Sequence, residues 1–222
     1  MIPLVLAGIG WLAWFLPGEI AVEEWAKRQK FPAPLEIGAT LEGIGIDGSR
    51  PVWLAIHPRR GVRVDDGRGG RWLLRGDRVV EGTRLPPPVW LPRLEVLTLA
   101  GRPAIDRYLQ RHSIEVERNE LARCGEFDCF VIGGRDSTAQ LWIERDAFFV
   151  RALQLPGLPR IELGSPRSWP EAAGASFPER IEVFDGPGSQ PLATLTVQSV
   201  RSGSDAAAPA GAPRDPSAHV ER

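Results

Sequence analysis

The sequence has no excess of either charge: lysine plus arginine total 27, aspartate plus glutamate 28, and the formal net charge is -1. A chain so balanced has no general electrostatic attraction for a polyphosphate, so nucleic acid is excluded as an expected partner. Cysteine is scarce. Its two copies, Cys124 and Cys129, stand in the segment CGEFDC. That spacing suits neither a CxxC redox centre nor a zinc site, which would need further ligands. In a tight hairpin the two would face each other as a small-loop disulfide, which requires an oxidising compartment. The sequence alone leaves the bond open.

Catalytic signatures are also missing. The three histidines, His57, His112 and His219, are scattered, and no HxxxH, HExxH or GxSxG occurs. GRGG at 67–70 lacks the Lys-Ser/Thr of a phosphate loop and opens no helix, so it reads as a turn. The adjacent carboxylates Glu23-Glu24 and Asp65-Asp66 read as surface charge. The expectation is no catalytic residue, no metal and no cofactor. What the chain does have is tryptophan: eight Trp and eight Phe accompany one Tyr. In a β-protein these fill a core or line an apolar cavity. At 43% hydrophobic and 25% charged, the composition is that of a globular protein.

No apolar run reaches the length of roughly 20 residues that a spanning helix needs. IPLVLAGIGWLAWFL, residues 2–16, is shorter and fits a signal-peptide core or a short uncleaved anchor. Residues 1–18 are therefore read as a targeting segment. EIAVEEWAKRQK follows, acidic first and basic last as a helix dipole prefers, with Ile20, Trp25 and Ala26 able to share a stripe. Residues 202–222, rich in Ser, Ala, Pro and Asp without periodicity, read as a disordered tail.

Between them the pattern is that of strands. Leu35, Ile37, Ala39 and Leu41 alternate with polar residues, then the phase shifts by one at Gly43, as a β-bulge would shift it. Asp47-Gly48 supplies a hairpin turn, and 51–57 returns with both faces apolar. Short strands follow at 61–65, 71–75 and 78–82. Prolines at 86–88 break the pattern, and the stretch up to 112 reads as short helices, with Pro103 in a first turn and Ile105, Tyr108 and Leu109 buried. Strands resume at 116–124, 127–134, 138–145, 147–155, 160–164, 179–185 and 192–200. The expected fold is mainly β (α+β): a single curved antiparallel sheet, or half-barrel, of about ten strands with helices covering its concave face.

Certain residues carry a family resemblance. IHPRRGVRV followed by Asp66-Gly67 and Trp72, then FVIGG and AQLWIERDAFFVRAL within 130–153, then FPERIEVFDG at 177–186, resemble the strands of the LolA/LolB/RseB superfamily, which sorts outer-membrane lipoproteins. The resemblance spans about residues 19–201. It implies a half-open barrel whose mouth is closed by helices, a periplasmic or envelope location, and an apolar ligand such as a lipid or lipoprotein acyl chain. It also implies that Arg63, or equally Arg59 or Arg60, ties down the lid. The extended C-terminal β element of the lipoprotein carrier is absent or replaced by the tail. Leu41, Trp53, Ile56, Trp72, Phe130, Trp142 and Phe148 are the expected ligand-lining residues. The alternative is an envelope protein-interaction or sensor module of the same fold, with membrane contact through the N-terminal segment in either case.

Overall fold

The computed structural model describes residues 16–29, 34–44, 46–57, 61–75, 78–83, 91–186 and 188–203. Most of the N-terminal apolar run, Arg59, Arg60, the three prolines, His219 and the tail beyond 203 lie outside the described residues. In chain order the elements begin with helix α1 (Gly18–Arg28) and strands β1 (Leu35–Gly43), β2 (Arg50–His57), β3 (Gly61–Asp65), β4 (Arg71–Arg75) and β5 (Arg78–Gly82). A 3-10 segment (Leu91–Thr98) and helix α2 (Arg102–Arg111) form an insertion. Strands β6 (Asn119–Cys124), β7 (Phe127–Ile132), β8 (Gln140–Glu144), β9 (Val150–Gln154) and β10 (Arg160–Leu163) follow. The chain closes with β11 (Pro166–Trp169), β12 (Ala175–Pro178), β13 (Arg180–Phe184) and β14 (Pro191–Ser202).

Twelve strands make one open antiparallel sheet in the order β5-β4-β3-β2-β1-β14-β13-β10-β9-β8-β7-β6. The first and last strands of the chain are neighbours at its centre, and β11 and β12 form a separate two-stranded hairpin. This is the curved half-barrel expected from the strand pattern, with two more strands in the sheet than the expected ten or so, and with a hairpin at 166–178 that the pattern had not signalled. The order also explains the lid. β5 and β6 are consecutive strands on opposite edges of the sheet, so the chain between them must cross a whole face. It crosses the apolar one, because that face needs cover.

Register identifies that face. Leu35, Ile37 and Ala39 of β1 stand opposite Ile56, Leu54 and Val52 of β2, and Ile56 and Leu54 stand opposite Val62 and Val64 of β3. All are buried, and with Phe130, Ile132, Leu141, Ile143, Ile161, Ile181 and Leu195 they join the helices in one core. The sequence expectation of a bulge at Gly43 is corrected: β1 ends there, and its irregularity against β14 falls between Gly38 and Ala39. Ile44 is accordingly 68% exposed.

α1 forms where its apolar spacing and dipole-matched ends predict. It buries Ala21, Val22, Trp25 and Ala26, while Ile20 lies off the stripe and is 44% exposed. A helix turns 100° per residue, so the pair 21-22 continues the face of 25-26 and residue 20 does not. The first turn lies close to the loop before β6: a Cβ on Gly18 would stand 2.1 Å from the Val116 carbonyl oxygen. α2 buries Ile105, Tyr108 and Leu109 as its pattern requires. Arg102 locks the two helices. It hydrogen-bonds the Glu19 carboxylate, donates to the Glu19 carbonyl at 3.2 Å and contacts Asp106 at 2.6 Å. Burial opposes the charge on Arg102, but these hydrogen bonds outweigh burial and raise its pKa.

Cys124 and Cys129 are joined in a disulfide across the β6–β7 hairpin, with Cα atoms 6.0 Å apart. It staples an edge strand to the sheet. In the chain-entropy picture such a short loop contributes about 2 kcal/mol. Reduction, or replacement of both cysteines by serine, is therefore expected to lower Tm by about 4–8 °C in a thermal melt. An unchanged Tm would show that the hairpin does not need its staple.

Candidate functional site

The lid meets the sheet at one corner, and a cavity remains there. It is lined by Arg28 and Gln29 at the end of α1, Val96 and Leu97 of the 3-10 segment, Phe149 and Val150 at the start of β9, and Leu163, Gly164, Pro166, Ser176, Phe177 and Pro178 around the β10–β12 corner. Its volume is about 50 Å³ and it is partly open to solvent. A single water needs roughly 10–15 Å³ on the same scale, so this space takes a few waters and not an alkyl chain. To admit a chain, the lid must move.

The lid is held by apolar burial, with Leu94, Val96, Ile105, Tyr108 and Leu109 in the common core, and by specific polar contacts. Gln29 donates from Nε2 to the Val96 carbonyl at 2.9 Å and accepts from the Trp25 indole N–H, which joins α1 to the 3-10 segment. Arg111 of α2 pairs with Glu95 at 2.9 Å. The indole of Trp25 is 1% exposed and anchors α1 in the core. Each neutral hydrogen bond of this type contributes about 1 kcal/mol net, less than the burial of one large apolar side chain of the lid, so an opened lid exposes core surface that a ligand must cover in its place.

None of the seven residues expected to line a ligand site lines this cavity. Leu41, Ile56, Trp72 and Phe130 are buried on the lidded face. Trp72 is packed so tightly there that a Cβ on Gly70 or Gly82 would come within 2.3 and 2.7 Å of its ring. Phe148 is half-buried against the core, has a positive φ of 53°, and lies 6.3 Å from Phe130 between ring centroids. The Arg28 guanidinium lies over the Phe148 ring at 5.5 Å, which places Phe148 beside the cavity mouth.

Trp53 and Trp142 are on the other face. Trp53 pairs with Gly38 and Asp65, and Trp142 with Val131 and Ala152, out of phase with the lidded positions on the same strands. Trp142 donates its N–H to Gln140 at 3.0 Å and carries Arg160 over its ring at 4.8 Å. The expectation that these indoles share a site with Ile56 and Phe130 is corrected by the two-residue period of a strand. The same parity corrects Arg63: between buried Val62 and Val64, it lies on the outer face, away from the lid. Among the described residues, Gln29, Arg102 and Arg111 join α1, the 3-10 segment and α2 to one another.

The outer face has a polar feature of its own. Glu144 and Arg151, each 8% exposed, form an ion pair with a 2.6 Å hydrogen bond, and Arg151 lies 4.0 Å over the Phe127 ring. Among the described residues no group of three or more His, Cys, Asp or Glu is placed to hold a metal, and no helix is long and apolar enough to cross a membrane.

An open antiparallel half-barrel, closed on one face by an insertion running from edge to edge, defines the structural class. No protein-family model matches the chain, and no curated protein matches it. Solved structures do. A LolA superfamily protein of Nitrosomonas europaea is similar over 86% of this chain and 95% of its own, at 10% identity and a TM-score of 0.43. A DUF1329 family protein of Desulfovibrio piger is similar over 85% and 94%, at 10% identity and a TM-score of 0.47. MucB in its complex with MucA from Pseudomonas aeruginosa is similar over 85% and 58%, at 13% identity and a TM-score of 0.34. These likenesses concern the fold alone.

Proposed function

We propose that this is an exported, non-enzymatic envelope protein that binds an apolar ligand, such as a lipid or lipoprotein acyl chain, between its lid and the β9–β12 corner. The carrying observation is the cavity itself: mainly apolar walls meeting where the insertion crosses the apolar face of the sheet. Leu41, Ile56, Trp72, Phe130 and Phe148 are the reserve of apolar surface that an opened lid would offer. Each methylene buried there would contribute about 0.8 kcal/mol, enough for a modest chain to hold the open state. The disulfide fits an oxidising compartment, and the apolar run at 2–16 serves as signal or anchor in this reading.

A second reading has its own observation. The lidded face is largely filled, whereas β5 is exposed along its whole length, with Val79 and Val80 at 38% and 52%, on an edge of the sheet. Exposed edges accept a partner strand, so an envelope protein that docks a partner there is the rival function.

Native mass spectrometry of the full chain from an envelope fraction, with lipid extraction, separates the two. The expected result is a co-purifying alkyl species that is lost in Phe149→Asp and kept in Val80→Asp, both variants retaining the wild-type near-UV spectrum. A bare protein mass that also ignores added phospholipid and lipopeptide would overturn ligand binding and favour the docking edge.

A further inference from the structure

Polarity at the cavity mouth narrows the class of ligand. Among the twelve lining residues only Arg28 is charged. Its neighbour Lys27 is engaged with Glu24 at 2.8 Å and Glu23 at 3.8 Å on the outer side of α1. Arg28 points the other way, over the Phe148 ring, and among the described residues no carboxylate lies within ion-pair distance of it. Gln29, the other polar side chain from α1, has its amide occupied at both ends by Val96 and Trp25. A mainly apolar recess with one cation at its rim and no lining acid is complementary to a molecule with a tail and a negative head.

We infer that the site takes a single alkyl chain carrying an anionic headgroup, carboxylate or phosphate, with the head held by Arg28. This rests on the cavity being the ligand site. A guanidinium suits either head because its planar N–H fork matches two oxygens at once. The aromatic face of Phe148 below it orients the fork toward the recess. The tail then accounts for affinity and the head for selectivity. A thioether- or ester-linked chain with no nearby anion would use the recess without using Arg28.

Equilibrium binding of monomeric dodecyl probes to the full-length protein tests this, with dodecanoate, dodecyl phosphate, dodecanol and dodecyltrimethylammonium compared at one ionic strength. One or both anions are expected to bind about fivefold more tightly than the alcohol, with the quaternary amine weakest. Which anion leads distinguishes a free fatty acid from a lysophospholipid-like source. Arg28→Gln is expected to bring the anions down to the alcohol's affinity and leave the alcohol unchanged; Arg28→Lys should keep part of the preference. Because Arg28 is exposed, both variants are expected to fold. Equal binding of anions and alcohol, or an anion preference that survives in Arg28→Gln, overturns the headgroup inference while leaving the cavity reading intact. Failure of every dodecyl probe to bind the folded protein overturns the cavity reading and this inference together.

Discussion

Trp25→Ala is expected to destabilise the protein by about 3–5 kcal/mol, the range for deleting a large aromatic from a packed core. The indole is 1% exposed, and it joins α1 both to the sheet and, through Gln29, to the 3-10 segment. The damage should therefore be local as well as global. In hydrogen exchange, amides of α1 and of residues 94–97 should lose protection before those of β1 and β14, and in a melt Tm should fall by roughly 10 °C or more. Ile20→Ala on the same helix is the control: its side chain is 44% exposed, and a change within about 0.5 kcal/mol is expected. If the two variants were equally mild, α1 would not be the anchor of the lid. The same pair bears on binding, since a loosened α1 moves Arg28 and Gln29 away from the cavity mouth.

The second large effect is on the opposite face. Glu144→Ala or Arg151→Ala alone is expected to cost about 3–5 kcal/mol, because each leaves its partner's charge buried. The pair lies beside Cys129, which is fully buried, and Arg151 also covers the Phe127 ring. Replacing both, as Glu144→Leu with Arg151→Met, should recover most of the loss, since desolvation offsets much of the attraction within a buried pair. Urea unfolding of the wild type, Glu144→Leu, Arg151→Met and the double variant reads this as a double-mutant cycle. Additive losses would show that the two groups do not act together. This pair supports the outer side of β8 and β9, whose other side carries Val150 at the cavity, so the single variants should also widen or collapse the recess.

Much of the architecture was legible from periodicity. The two-residue alternation of Leu35, Ile37, Ala39 and Leu41 and the Pro103-led helix with Ile105, Tyr108 and Leu109 lie where their patterns put them, whereas β1 and β2 are joined by a longer connection than a two-residue turn at Asp47-Gly48, their last pair being Leu41 with Arg50. What failed was the assignment of faces. Trp53 and Ile56 are three positions apart on one strand and face opposite ways, so the two cannot line one site, and alternation alone does not say which of the two faces the lid covers. The β11–β12 hairpin was missed because Pro166-Arg167-Ser168-Trp169 shows no apolar alternation; Trp169 and Phe177 give it its packing, with the Trp169 N–H donating to the Phe177 carbonyl at 3.2 Å.

The cavity was illegible for a different reason. Arg28 and Gln29 are ordinary helix-end residues in sequence, Val96 follows a proline-rich stretch, and Phe177 lies in a hairpin without a pattern. They meet because consecutive strands β5 and β6 occupy opposite edges of the sheet, so the insertion between them must traverse the apolar face, and its 3-10 segment comes against the end of α1 and the β9–β12 corner on the way. Local sequence determined the strands, the two helices, the turns and the export-compatible cysteine pair, because those depend on side-chain period and backbone preference within a few residues. Which face is concave, which aromatics it encloses and where a charge meets an apolar recess were decided only by strand order and lid crossing, since these set distances between residues far apart in the chain.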